Sequence, residues 1–446
     1  MAAPTVTGPI DGGMHGRPFA RPLVDLDAHG YVEEEWFLDG EATSYTVDGE
    51  MTRDGRWSLT PSATAPYRTR VVVYRPVDPA QSSGVAVVCW NNVSAGYELF
   101  GGESLEILEN GHAFVGVSAQ KVGVHGLESS RMGLVDWDAE RYGSLHHPGD
   151  DFSFDIFTQA AQAVRAGRLG DLRADRLVAM GASQSAGRLV SYINGVHPLE
   201  RAFDGYLVQI WFGSGTSFNV GDAVVDLSKP QPRRASTLHQ VRDDLDVPVF
   251  VVNSELEAIA CFNVRQPDTD RFRYWEAAGT SHVSAQVQAM RAVKFERDFG
   301  RPQPLTPTTN RIPILPLYDS ALHHLVRWID EGTPPPVQPR IDFAGDPPQV
   351  VRDDHGIGTG GIRLPQAEVP IAVNSSIPAG DNIFARLNGS WEPFPDDKVR
   401  ALYGDRATYL ARFEEAARAA EKAGVLLARD VDALLAEAAD AWPLGD

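Results

Sequence analysis

The sequence predicts an α/β protein built on a mostly parallel sheet with helices on both faces, and three observations predict it. Short apolar, β-branched runs alternate with longer segments of helical period along most of the 446 residues. Several runs, Val85–Trp90 above all, are apolar at nearly every position, as suits strands buried on both faces. A run at Arg176–Met180 passes through Gly181 and a serine directly into a helical segment, the tight strand–turn–helix step of such sheets.

Taken in order, the stretch 1–69 reads as strands and turns joined to the core sheet. Its acidic run Glu33-Glu34-Glu35 is expected to be a solvated face. Core strands are predicted at Arg70–Tyr74, Val85–Trp90, Ala113–Val117, Arg176–Met180, Tyr206–Trp211, Val247–Val252 and Phe272–Trp275. Helices are predicted between and after them, at Leu99–Glu109, Phe154–Ala166, Gln184–Asn194, Val283–Phe295 and Leu317–Asp330. Phe154, Phe157, Ala161 and Val164 recur at helical spacing and read as core. The helix ending near Glu331-Gly332 meets Pro334-Pro335-Pro336 and Pro339, a stiff break. The section 333–446 opens extended and closes with helices at Asp396–Ala423 and Asp430–Ala441. It is read as a layer packed on the 70–332 core that contributes to a lid, together with the stretch between Trp211 and Val247. One elaborated catalytic unit is expected, not three domains.

Composition excludes several function classes. Sixty acidic against 40 basic residues give a net charge of −20, which opposes binding to nucleic acid or anionic membrane. Two cysteines, Cys89 and Cys261, form no disulfide framework and fit a reducing compartment. No apolar run is long enough to span a bilayer, and Met1–Thr5 shows no secretory leader, so a cytoplasmic location is expected. A homo-oligomer is compatible with all of this.

The chemistry concentrates at Gly181-Ala-Ser-Gln-Ser185-Ala-Gly187. A serine at the tip of a strand–helix turn is the setting of a nucleophile elbow, whose flanking residues must be small so that strand and helix can approach. Ser183 is the candidate nucleophile. The fifth position is Ser185 where glycine is usual. The backbone N–H of Gln184, at the helix N-terminus, would face a developing oxyanion. In hydrolases with such an elbow an acid and then a histidine follow on later strands. Here Pro248–Val252 leads into Asn253-Ser-Glu255-Leu-Glu257, and Phe272–Trp275 leads into Gly279-Thr-Ser-His282. His282 is the candidate base and Glu257 the favoured acid, with Glu255 the alternative. A second oxyanion N–H is assigned to Asn92 in the loop after Val85–Trp90, with Asn91 and Val93 as neighbours that could serve. Trp90, Asn91, Trp211, Phe212 and Phe262, at strand ends or just beyond, are candidates for lining a substrate pocket.

Other motifs carry less. Gly356-Ile-Gly358-Thr-Gly360-Gly361 has no strand before it and no helix after it, so no dinucleotide is expected there. His146-His147 with Asp150-Asp151 are adjacent residues of one loop, poorly arranged to surround an ion, and are read as ordering a pocket rim. No cofactor or metal is assigned.

The chain resembles the bacterial family known as the "α/β hydrolase domain" family, a branch of the α/β-hydrolase superfamily. The matching stretches are Trp90–Ser94, Val115–Gln120, Tyr142–Asp150, Gly181–Ala186, Tyr192–Asn194, Arg265–Asp268, Ala278–Thr280 with His282, and Asp354–Gly356 leading to Gly360–Arg363. The resemblance implies the α/β-hydrolase fold, Ser183 as nucleophile, His282 as base, and a C-terminal section belonging to the same unit. Ala182 stands where many relatives would carry glutamate, and Asn253–Glu257 replaces a pattern closer to Thr-Glu-Thr-Asp, so the charge of the site differs. The expected activity is hydrolysis of a small carboxylic ester or lactone. The competing readings are a ligand-binding protein that kept the fold, and the same triad acting on an amide or a carbon–carbon bond.

Overall fold

In a computed structural model the described residues are 3–99, 103–220, 238–377 and 383–444. The chain falls into two compact units, Met1–Val249 and Phe250–Asp446.

The first unit carries β1 (Thr5–Thr7), β2 (Tyr31–Val47), β3 (Leu59–Pro76), β4 (Val85–Trp90), β5 (Ala113–Val117), β6 (Arg176–Ala182) and β7 (Gly205–Gln209). They lie in the order β1-β2-β3-β5-β4-β6-β7. The β1–β2, β2–β3 and β3–β5 pairs are antiparallel; β5–β4, β4–β6 and β6–β7 are parallel. β4 and β5 are buried at every residue, which explains their unbroken apolar sequence. β3 is much longer than the predicted Arg70–Tyr74, because its outer half from Thr60 to Pro66 is an exposed antiparallel ribbon with β2 that needs no apolar face. β7 stops before Ile210, whose φ of 44° leaves the extended region.

The acidic run of β2 is not the solvated face expected of it. Glu33 pairs with Arg21, and Glu34 takes two hydrogen bonds from Arg75, at 3.0 and 2.8 Å. Glu35 is fully buried and accepts from Arg70, from Arg141 at 2.6 Å and from Tyr142 at 2.7 Å. Each carboxylate has its own arginine, the condition under which a buried charge is tolerated.

Three helices of this unit matter for the site. α1 (Leu105–Glu109) starts at its Ser104 cap, later than the predicted Leu99, and residues 100–102 lie outside the described ones. α2 (Ser153–Arg165) buries Phe154, Phe157, Ala161 and Val164, as their spacing requires. α3 (Gln184–Ser191) widens into a π-turn at Tyr192–Val196, where the predicted helix ran on to Asn194. The Asn194 amide there accepts from the Arg242 N–H at 3.0 Å and donates to Gln240 O at 2.9 Å. Of the stretch expected to form part of a lid, residues 221–237 lie outside the described ones.

The second unit carries β8 (Val249–Ser254), α4 (Glu255–Cys261), β9 (Phe272–Ala277), α5 (Ala285–Phe299), α6 (Leu315–Glu331), α7 (Asp396–Tyr403), α8 (Arg406–Lys422) and α9 (Ala428–Ala441). The helix predicted over Asp396–Ala423 is two helices. Asp405 ends the first register by capping α8, its carboxylate accepting from Thr408 N–H at 2.8 Å. The section after residue 332 is fastened to this unit. Ile362 N–H donates to Glu276 O at 2.7 Å and Ala278 N–H to Ile362 O at 2.8 Å, so the chain runs beside β9. Trp275 Nε1 donates to Pro336 O at 2.9 Å, and Ser320 Oγ on α6 donates to Gly424 O at 2.8 Å. Among the described residues no helix is long and apolar enough to cross a membrane.

Candidate active site

β6 delivers Ser183 at the end of a buried strand, and α3 begins at the next residue. Ser183 has φ 60° and ψ −118°, a conformation that non-glycine residues adopt only when their surroundings enforce it. What enforces it is a short-range mesh. Ser183 N–H donates to Gln209 O on β7 at 3.0 Å. A Cβ at Gly181 would sit 2.8 Å from Ser185 O and 3.2 Å from Leu189 Cβ, so only glycine lets α3 come this close. Ser185 stands where glycine is usual because its hydroxyl braces the turn: Oγ accepts from Ala182 N–H at 3.0 Å and donates to Ala182 O at 2.9 Å.

Gln184 is the first residue of α3, and among the described residues its backbone N–H has no protein acceptor, as an oxyanion donor requires. Asn92 is different. Its N–H donates to Leu99 O at 2.8 Å, while its side chain donates to Ala182 O at 2.9 Å and accepts from Ser94 N–H at 2.8 Å. Asn92 therefore braces the elbow with its amide and has no backbone donor to give, which corrects its assignment. Asn91 N–H is also used, by Val117 O at 3.3 Å. Val93, the remaining neighbour, has a backbone N–H that no protein group among the described residues accepts.

Of the residues named as pocket candidates, three are buried and two are half-buried. Trp90 is fully buried, with its ring 4.7 Å from that of Phe157 and 5.5 Å from that of Phe154; it is core. Trp211 is buried with Nε1 donating to Ser214 O at 2.9 Å, and Asn91 is buried with its amide on Glu98 at 3.2 Å. All three lie at or just beyond the end of an apolar strand, where core and pocket sequences look alike. Phe212 is half-buried in the first unit. Phe262, half-buried in the second, stacks against Phe343 at 4.9 Å with Arg265 over its ring at 5.6 Å.

Beneath the elbow runs a buried polar chain that the sequence did not single out. Gln120, three residues beyond β5, accepts from Trp90 Nε1 at 3.2 Å and from Gln184 Nε2 at 3.0 Å. Its own amide donates to Asp150 at 3.1 Å, and Asp150 also receives Arg188 of α3 at 2.8 Å and Lys121 N–H at 2.8 Å. The loop bearing His146 and His147 thus orders the base of the elbow. Burial pushes the His147 imidazole down to about 4, which keeps it neutral between Ala119 O at 2.9 Å and Gly149 N–H at 3.2 Å. The signals for it in the sequence were the stretches Trp90–Ser94, Val115–Gln120, Tyr142–Asp150 and Gly181–Ala186, which carried the family resemblance.

The second unit brings His282 and Glu257 together and sends Glu255 elsewhere. Glu257, in the first turn of α4, is fully buried and its Oε1 lies 2.7 Å from His282 Nδ1. The other carboxylate oxygen accepts from Ser254 Oγ, the residue that caps α4. A carboxylate only accepts, so His282 Nδ1 carries the proton and Nε2 is left as the basic nitrogen. Glu255 accepts from Gly279 N–H at 2.7 Å, Arg352 at 2.8 Å and Ser376 Oγ at 2.7 Å, which ties the histidine loop to the C-terminal section. Val283 N–H donates to Leu387 O at 2.9 Å, and Asn310 Nδ2 donates to Gly279 O at 2.6 Å. Spacing from the strand end favoured Glu257, and it is Glu257 that lies against the imidazole; the anchoring by residues 352–388 was not visible. Cys261 is buried on α4, and burial pushes its thiol up, away from nucleophilic ionisation.

No curated protein matches the chain. Among solved structures, it is similar to an α/β serine hydrolase without lid from Xanthomonas campestris, with 14% identity, a TM-score of 0.30, and coverage of 60% of this chain and 97% of that one. A glucuronoyl esterase from Solibacter usitatus has 10% identity and a TM-score of 0.28, covering 61% and 80%. Oligopeptidase B from Leishmania major has 12% identity and a TM-score of 0.30, covering 56% and 33%. Likenesses at this level do not distinguish one substrate from another. A family model described as alpha/beta hydrolase domain matches residues 6–436, and the chain belongs to that family.

Proposed function

We propose that the protein is a serine hydrolase acting on a small-molecule carboxylic ester or lactone. The observation that carries the reading is the buried Glu257–His282 pair, 2.7 Å apart, in a family whose elbow supplies a serine at Ser183. Ser183 Oγ attacks the carbonyl carbon while His282 Nε2 takes its proton. Glu257 holds the imidazole with Nδ1–H toward itself and stabilises the imidazolium as it forms. The backbone N–H groups of Gln184 and Val93 receive the oxyanion, both without a protein acceptor among the described residues. His282 returns the proton to the leaving alkoxide, and water then hydrolyses the acyl-enzyme by the same route in reverse. The buried state of Cys89 and Cys261 favours serine over thiol chemistry.

The test is covalent labelling by a fluorophosphonate together with turnover of aryl esters and lactones, before and after Ser183→Ala. Loss of both label and turnover in a folded variant is expected. Full retention of turnover would sink the mechanism.

A further inference from the structure

We propose that the side-chain carbonyl of Gln184 is an acceptor for a hydroxyl on the acyl part of the substrate, so that the enzyme favours hydroxy-substituted acyl groups. The inference rests on the ester-hydrolase reading and deepens it. Its basis is the directionality of the buried chain. Trp90 Nε1 can only donate, and it faces one oxygen, Gln120 Oε1, at 3.2 Å. That fixes the Gln120 amide with its nitrogen toward Asp150, at 3.1 Å. Asp150 is an acceptor: burial opposes its charge, but Arg188 beside it holds the carboxyl below the usual range. With both ends of Gln120 fixed, Gln184 must present its nitrogen to Gln120 Oε1, at 3.0 Å. Its own Oε1 then points away from the chain. That oxygen is buried, and among the described residues no protein group donates to it.

A buried acceptor without a donor is costly, and the opposite amide orientation is barred by Trp90 and Asp150. The position of this oxygen gives the cost a use. The amide hangs a few bonds from the Gln184 backbone N–H that receives the oxyanion. A ligand that satisfies both carries its donor on one of the first carbons beyond the carbonyl, as in a 2- or 3-hydroxy acyl group. A site built to bond a substrate hydroxyl discriminates against the analogue that lacks it.

Purified full-length protein is assayed with phenyl lactate and phenyl propionate, each kcat/KM being divided by the ester's rate with hydroxide to remove intrinsic reactivity. The wild-type ratio should favour the lactate about tenfold, and Gln184→Met should remove that preference. Trp90→Phe, which frees the Gln120 amide to turn, should weaken it in the same direction. A merely structural role for Gln184 would lower both esters alike. A wild-type ratio near one, or a ratio that Gln184→Met leaves unchanged, overturns the inference while leaving the esterase reading intact. No turnover of either ester, together with no fluorophosphonate label on Ser183, overturns the esterase reading and this inference with it.

Discussion

The elbow and the histidine loop are held in opposite ways. Ser183 is fixed by near neighbours in sequence and by adjoining strands: Gly181, Ser185 and Leu189 from its own turn and helix, and Gln209 from β7. The His282 loop is fixed from far along the chain, by Glu255, Asn310, Arg352, Ser376 and Leu387. A nucleophile can be strained into place by local backbone geometry. In the mechanism proposed above the base must be aimed, and the His282 imidazole and its loop are held by two glutamates of one helical turn with separate tasks. Glu257 touches the imidazole; Glu255 touches the scaffold that carries it.

Separating those two tasks gives the largest predicted effects. Glu257→Gln replaces an acceptor-only group by one that can present an N–H to Nδ1, and so favours the wrong tautomer. Ester kcat should fall by about 10³–10⁴ while thermal unfolding changes little. A fall of less than tenfold in a folded variant would show that Glu257 is not the triad acid. Glu255→Gln should do the reverse. It leaves Arg352 with a neutral partner and loses an ionic anchor for the Gly279 N–H, at a cost of about 3 kcal/mol of stability by denaturant titration. The folded fraction should keep most of its kcat. Equal kinetic losses in the two variants would erase the distinction between them.

The same contrast explains what could be read from the sequence. Motif order singled out Ser183, Glu257 and His282 as candidates, because each follows shortly after a strand. The strands β4 and β5 were legible to the residue, since burial on both faces leaves one kind of sequence. The long β2–β3 ribbon was not, because half of it is exposed and polar. The acidic run was misread because its partners, Arg21, Arg70, Arg75 and Arg141, are remote or on another strand. Asn92 was assigned from its loop, but whether an N–H is free depends on where Leu99 turns back, which no spacing rule supplies.

His147 extends the comparison to pH. It stands in the mesh beneath the elbow, whereas the anchors named for the histidine loop, Glu255, Asn310, Arg352, Ser376 and Leu387, include no histidine. Its folded value of about 4 is below the ordinary one for histidine, so the unfolded chain binds a proton that the folded chain refuses. The resulting penalty is absent above about pH 6.5, grows as pH falls, and stops growing below about 4. At pH 5 it amounts to about 2 kcal/mol. His147→Gln should therefore lose less stability between pH 7 and pH 5 than the wild type, whatever its stability at pH 7. Identical acid sensitivity in the two proteins would show that His147 is not the group responsible.

The smallest predicted effect compares a glycine from each region. Gly181→Ala in the elbow meets backbone, Ser185 O at 2.8 Å, which cannot move without shifting α3 and the Ser183 turn. Gly279→Ala in the histidine loop meets side chains, Ile357 at 3.1 Å and Ile312 at 3.2 Å, but carries a φ of 71° that alanine adopts reluctantly. Both should cost about 1–2 kcal/mol. Their kinetic signatures should differ. At Gly181 the backbone that moves bears the nucleophile and the Gln184 N–H, so kcat falls with stability. At Gly279 the isoleucines can yield and the Glu255 anchor remains, so stability falls and kcat largely survives. If kcat fell as far in Gly279→Ala as in Gly181→Ala, local backbone strain would be aiming the base as well, and the long-range anchors would be packing alone.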